Sequence, residues 1–138
     1  MKSNTLKIHI ARPIEEVFKF TTDSSKISLW FGHCIEEEIP SETPMRKGTI
    51  LRNRAPGSEA WSEYKVTDYE LNKKFVLSQV DDNYHVRYTY IPSLNGGGTD
   101  VIYEEWVENG ELENLEPQST MEKLKFVLEN EISERSDV

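Results

Sequence analysis

Two short runs of turn-forming residues, Asp81-Asp82-Asn83 and Asn95-Gly96-Gly97-Gly98, constrain the fold of this chain more than any other feature. Asn, Asp and Gly adopt the positive φ that tight turns demand, so each run separates two strand-forming stretches. Strands joined by so few residues pair antiparallel, because a parallel pair needs a crossover of a dozen residues or more. Reading outward from the turns gives strands at Phe75–Val80, Tyr84–Ile91 and Thr99–Val107. Upstream, the separators at 40–44 (Pro-Ser-Glu-Thr-Pro), 55–57 (Ala-Pro-Gly) and 71–74 (Leu-Asn-Lys-Lys) delimit strands at Cys34–Ile39, Thr49–Asn53 and Glu59–Tyr69. A first strand at Thr5–Ile10 places Leu6, Ile8 and Ile10 on one face.

Helical signals bracket this run of strands. Pro13 suits a helix start, where its missing N–H would be unpaired anyway, and Ile14, Val17, Phe18 and Thr21 follow at helical spacing. Asp23-Ser24-Ser25 predicts a stop and a fresh cap for a short second helix through Ile27, Leu29, Trp30 and Phe31. A last helix is predicted from Pro117 to Glu134, with Met121, Leu124, Val127, Leu128 and Ile132 in one stripe and Phe126 on the opposite side. The class is therefore α+β, in a single domain that spans 1–138. One long amphipathic helix must cover the apolar face of a curved antiparallel sheet, and space is expected between them.

The inner faces of the sheet supply the candidate site. On Tyr84–Ile91, alternation puts Tyr84, Val86, Tyr88 and Tyr90 on one face and His85, Arg87 and Thr89 on the other. Turned inward, Tyr88 and Tyr90 line the space under the last helix. On the next strand strict alternation gives Val101, Tyr103, Glu105 and Val107 as the inner set. A bulge would instead turn Trp106 inward and leave Glu105 in water. An inward Glu105 is the one candidate catalytic group, a carboxylate in apolar surroundings able to serve as acid, base or hydrogen-bond anchor. Tyr64, in phase with Val66, and Gln79, in phase with Phe75 and Leu77, extend the same wall. Trp30 is expected near its mouth, and Leu124, Val127 and Leu128 close it from the helix side.

Other chemistry finds little footing. In His33-Cys34 the two side chains of an extended segment point apart, so the imidazole does not reach the thiol. The remaining histidines, His9 and His85, fall on separate strands, so no metal site is predicted. Gly96-Gly97-Gly98 joins two strands and opens no helix, which makes it a turn rather than a phosphate cradle. No cofactor is expected.

The chain carries 16 Lys+Arg against 25 Asp+Glu, a net charge of −9. Residues 1–69 are balanced, and seven acids with no base lie between Asp100 and Glu116. This field repels phosphate backbones, so nucleic acid is an unexpected partner; a protein partner could use the acidic 100–116 segment. No apolar run approaches the roughly 18 residues of a membrane span. A single cysteine and a start, Met1-Lys-Ser-Asn-Thr, with no apolar leader lead us to expect a cytoplasmic protein.

The run Ala-Arg-Pro-Ile-Glu-Glu-Val-Phe-Lys-Phe-Thr-Thr-Asp (11–23), Trp30-Phe31, the stretch Tyr64–Leu77 and the stretch Tyr88–Val101 together resemble the START-like (SRPBCC) helix-grip superfamily over about 5–134. Within it the polyketide cyclase/dehydrase-like branch is the closer, ahead of the birch-pollen-allergen-like and heat-shock-protein ATPase-activator-like proteins. The tryptophan-glycine pattern of the activators is missing here. The resemblance implies about seven strands gripping the C-terminal helix around a cavity for a hydrophobic molecule of lipid, polyketide, quinone or flavonoid class. It also implies two alternatives: a cyclase or dehydratase using Glu105 as acid/base, or an activator-like protein-interaction module. A ligand-binding protein without catalysis is the primary expectation.

Overall fold

In the computed structural model, residues 2–23, 26, 29–30, 36–38, 45–54, 59–93, 97–112 and 115–131 are described. They form β1 (Ser3–Ile10), α1 (Ile14–Thr21), β2 (Glu36–Glu38), β3 (Ile50–Arg54), β4 (Ser62–Glu70), β5 (Lys74–Gln79), β6 (Tyr84–Pro92), β7 (Thr99–Val107) and α2 (Gln118–Phe126). The strands make one seven-stranded antiparallel sheet in the order β1-β7-β6-β5-β4-β3-β2. Pairing of β1 with β7 brings the first and last strands together. The α+β helix-grip arrangement is thus present. Of the expected second helix, Ile27 and Phe31 lie outside the described residues, as do His33, Cys34, Gly96 and Ile132.

Local chemistry accounts for the elements. Pro13 caps α1 with an extended backbone, and its carbonyl accepts the N–H groups of Glu16 and Val17. Glu15 and Glu16 sit in the first turn and Lys19 in the last, each on the side the helix dipole favours. In the β5–β6 turn Asp82 adopts φ 59°, and the Asp81 carboxylate accepts the N–H of Asn83 at 3.0 Å. At the other hairpin Gly98 takes φ 140°, and a Cβ there would stand 2.3 Å from the carbonyl oxygen of Ile10. Only glycine allows β7 to start so close to the end of β1.

Two irregularities change which residues face inward. A register shift between Val66 and Asp68 in β4 moves the inner phase by one residue. Tyr69 therefore joins the core, 5.4 Å from Phe18 and 6.2 Å from Phe75 between ring centroids. The second lies in the C-terminal helix, which does not stay α-helical as expected; Val127–Glu131 is a π-helical turn. Thr120, Met121, Leu124, Val127 and Leu128 are buried, while Phe126 is 58% exposed.

Helix α2 and the π turn run along the outer edge of β1 and occupy its unpaired backbone groups. Gln118 Nε2 donates to the Lys7 carbonyl at 2.9 Å, and Lys125 Nζ to the His9 carbonyl at 2.9 Å. The Glu129 carboxylate accepts the Ala11 N–H at 2.7 Å and the Lys125 ammonium at 2.6 Å. Burial works against the Glu129 charge, but the bonds from Lys125 and Ala11 outweigh it and hold this carboxyl below its usual range.

Candidate functional site

The inner faces of β6 and β7 meet residue for residue. Tyr88 lies opposite Tyr103, Val86 opposite Glu105 and Tyr84 opposite Val107. Strict alternation holds through β7. Val101, Tyr103 and Glu105 are buried, while Trp106 faces the other side and stacks on His85 with ring centroids 5.1 Å apart. Arg87 reaches over the same Trp106 ring and pairs with Glu104 at 2.9 Å.

Glu105, 2% exposed, is the polar centre of this inner face. Its Oε2 accepts the Asn4 side-chain amide at 2.9 Å and the Glu116 backbone N–H at 2.8 Å. Its Oε1 accepts the Tyr84 hydroxyl at 2.7 Å. Asn4 also donates to the Glu116 carbonyl at 3.1 Å, and the Glu116 carboxylate accepts the Thr120 hydroxyl, so the same knot fixes the entry to α2. Three donors from β1, β6 and the segment before α2 thus hold one buried carboxylate. Glu105 reaches the rest of the inner face through Tyr84.

Other tyrosines pack on the same inner face. The Tyr88 ring lies edge-on to Tyr103, with centroids 5.2 Å apart. Tyr64 packs with its ring centroid 6.5 Å from that of Tyr84 and sits opposite Gln79. Trp30, 1% exposed, lies edge-on to Tyr88 at 6.3 Å. Burial raises the hydroxyl pKa of Tyr84, and the bond to Glu105 raises it further. Burial, with the neighbouring Tyr88, Tyr84, Glu105 and Glu116, lifts Tyr103 well above the usual tyrosine value. Tyr64 is likewise raised by burial. These phenols keep their protons at physiological pH and act as neutral hydrogen-bonding groups.

Trp30, Tyr88, Tyr90 and Tyr103 belong to one buried core with Leu124, Val127 and Leu128, and Tyr64 packs against it. Gln79 lies opposite Tyr64 at the end of β5. The Tyr90 hydroxyl lies 2.6 Å from that of Thr21 and its ring packs on Phe18 at 5.0 Å, so it also seats α1. Asn4, Tyr84 and Glu116 are the members that strand-by-strand reading left out of the site. Of two surface concavities, one runs along Lys2, Thr5, Arg87, Glu105 and Trp106 and one lies at Arg12, Pro13 and Pro92; neither is lined by a tyrosine.

The acidic 100–116 segment is not a uniform surface patch. Glu104 pairs with Arg87, Asp100 with His9 at 2.7 Å, and Glu105 and Glu116 are buried. Among the described residues no group of three or more His, Cys, Asp or Glu is placed to hold a metal ion. No described helix is long and apolar enough to cross a membrane.

Residues 1–130 match the family described as polyketide cyclase / dehydrase and lipid transport. The chain belongs to that family. Solved structures with the same fold include three at 16% identity. The Aha1 dimer of Colwellia psychrerythraea has a TM-score of 0.71 and covers 94% of this chain and 98% of its own. Protein MLL2253 of Mesorhizobium loti has a TM-score of 0.73, with 99% and 100% covered. DynU16, a putative protein of the dynemicin biosynthetic locus, has a TM-score of 0.68 over 95% of this chain and 48% of its own. No curated protein matches the chain. At this identity the solved neighbours establish the fold alone, so in this family member the residues around Glu105 carry the functional argument.

Proposed function

We propose that this protein binds a hydrophobic or aromatic small molecule of lipid, polyketide, quinone or flavonoid class between the inner sheet face and α2. The observation that carries the reading is the buried Glu105 with the Tyr84 hydroxyl on it, beside the rings of Tyr64, Tyr88 and Tyr103 and among the apolar Val86, Val101, Leu124 and Leu128. An apolar wall with a few convergent polar groups is the usual make-up of a small-molecule site, and the family description agrees with such a ligand. Titrating the labelled protein with representatives of the four classes tests it by NMR. Progressive shifts at Tyr88, Tyr103 and Leu128 are expected with at least one class. No shift at these residues with any of them overturns the reading.

A second reading, catalysis of a cyclisation or dehydration, draws on the 2.7 Å contact between the Tyr84 hydroxyl and the Glu105 carboxylate. A substrate proton could reach the carboxylate through Tyr84, whose hydroxyl is the one donor on Oε1. General acid–base groups contribute about 10²–10⁴-fold, so a turnover found for this protein should fall by that factor in Glu105→Gln. An unchanged rate would remove Glu105 from the chemistry.

A further inference from the structure

The face of the sheet turned away from the tyrosines carries a second built feature. Its centre is Trp106 on β7, and the register sets the neighbours: His85 opposite on β6 and Ser3 opposite on β1. Arg87, Glu104 and Thr5 form the next row. Large side chains stand on the β6 side of the indole, while β1 contributes two small hydroxyl residues. Beside this step lies a concavity of about 470 Å³, open to solvent and lined by Trp106, Arg87, Glu104, Ser3, Thr5 and Lys2. That volume falls in the range of small-molecule sites.

The aromatic wall is held in place. His85 stacks on the indole at 24° with centroids 5.1 Å apart, and the Arg87 guanidinium lies 5.4 Å from the indole centroid. Both nitrogens of His85 are tied in turn, to the Ser78 hydroxyl at 2.7 Å and the Asp82 carbonyl at 3.0 Å. An indole fixed in advance loses little freedom when a ligand arrives. The polar wall offers both signs of charge at one point. Arg87 Nε and Nη2 both donate to Glu104 Oε1, at 3.0 and 2.9 Å. This pairing leaves the second carboxylate oxygen as an acceptor beside the remaining guanidinium N–H groups as donors. An anion here would gain Arg87 and Lys2 but face Glu104, and a cation would meet the reverse. A hydroxyl both donates and accepts, so two adjacent hydroxyls of one ring answer the carboxylate and the guanidinium together.

We propose that this concavity binds a neutral polyhydroxylated ring, a sugar of pyranose type. Its C–H face lies on the apolar body of Trp106, and neighbouring hydroxyls bond to Glu104 and Arg87. The site is on the opposite face of the sheet from Glu105 and does not depend on the inner-face reading.

Three rings of different charge test the proposal on the intact labelled chain: methyl β-glucoside, benzoate and benzyltrimethylammonium, titrated while the Trp106 indole N–H is followed by NMR. The glucoside is expected to shift Trp106, Ser3, Thr5 and Arg87 with a dissociation constant of about 1–10 mM, the range open to so small a molecule. It should bind about tenfold or more tightly than either charged ring. Cellotriose in a further arm separates a glycan chain, which gains affinity with length, from a single sugar, which does not; either result supports the site. Trp106→Ala should weaken glucoside binding at least about tenfold. Thr5→Tyr, a strand-forming residue at an exposed position of β1, should do the same by filling the concavity. If thermal melts show that Trp106→Ala does not fold, Thr5→Tyr carries the test. The proposal is overturned by a Trp106 shift that persists unchanged in Thr5→Tyr, or by tighter binding of either charged ring. It is equally overturned if neither sugar shifts Trp106 at about 50 mM. Each of these outcomes leaves the inner-face reading standing, because that reading is reported by Tyr88, Tyr103 and Leu128.

Discussion

Glu105→Leu is expected to lower folding stability by about 3–5 kcal/mol, although leucine fills nearly the same space and would ordinarily suit an apolar wall. The loss comes from what is left behind. The Glu116 N–H, one Asn4 proton and the Tyr84 hydroxyl would lose their acceptor while buried, at about 1–3 kcal/mol for each group that finds no substitute. Tyr84→Phe removes one of the three donors without orphaning the carboxylate, and should cost only about 1 kcal/mol. Urea denaturation of the two variants checks the contrast through the midpoint at an unchanged slope. A Glu105→Leu protein within about 1 kcal/mol of wild type would show that the knot contributes little, and that the three donors find other partners.

The second large effect belongs to the C-terminal helix. Leu128, in the π turn and 0% exposed, should cost about 2–5 kcal/mol when cut to alanine, from lost burial and the cavity left behind. Phe126→Ala, two residues away and 58% exposed, should change stability by no more than about 0.5 kcal/mol. Thermal or urea melts of the pair would decide it. Equal losses would mean that the helix does not present the face described here to the sheet.

Alternation was a sufficient guide where strands are regular. It places Val86, Tyr88 and Tyr90 on one face of β6 and Val101, Tyr103 and Glu105 on one face of β7, as found. It left Glu105 and Trp106 as alternatives, because a bulge writes no signature into β7; the unbroken β6–β7 register resolves them. The bulge in β4 was equally silent, and it alone explains why Tyr69 shares a face with Val66. The partners of Glu105 were out of reach for another reason. Asn4 lies 101 positions away, and the Glu116 N–H is a backbone group of a non-repetitive segment, so neither belongs to any local pattern. Tyr90 illustrates the converse. Its inward phase was legible, but its attachment to Thr21 depends on where α1 sits, which strand periodicity does not encode.

The side chains along the margin of β1 also bear on how the chain is made. Strand β1 is first in sequence but pairs only with β7, so it has no place in the sheet until Val107 has been synthesised. From then until Gln118, Lys125 and Glu129 arrive, its free side offers backbone groups to any neighbouring strand. At ordinary ribosomal speeds that interval lasts about one to four seconds. A chain truncated before 118 would never leave it. The last helix therefore guards a nascent sheet against its neighbours, a duty separate from anything it does for a ligand.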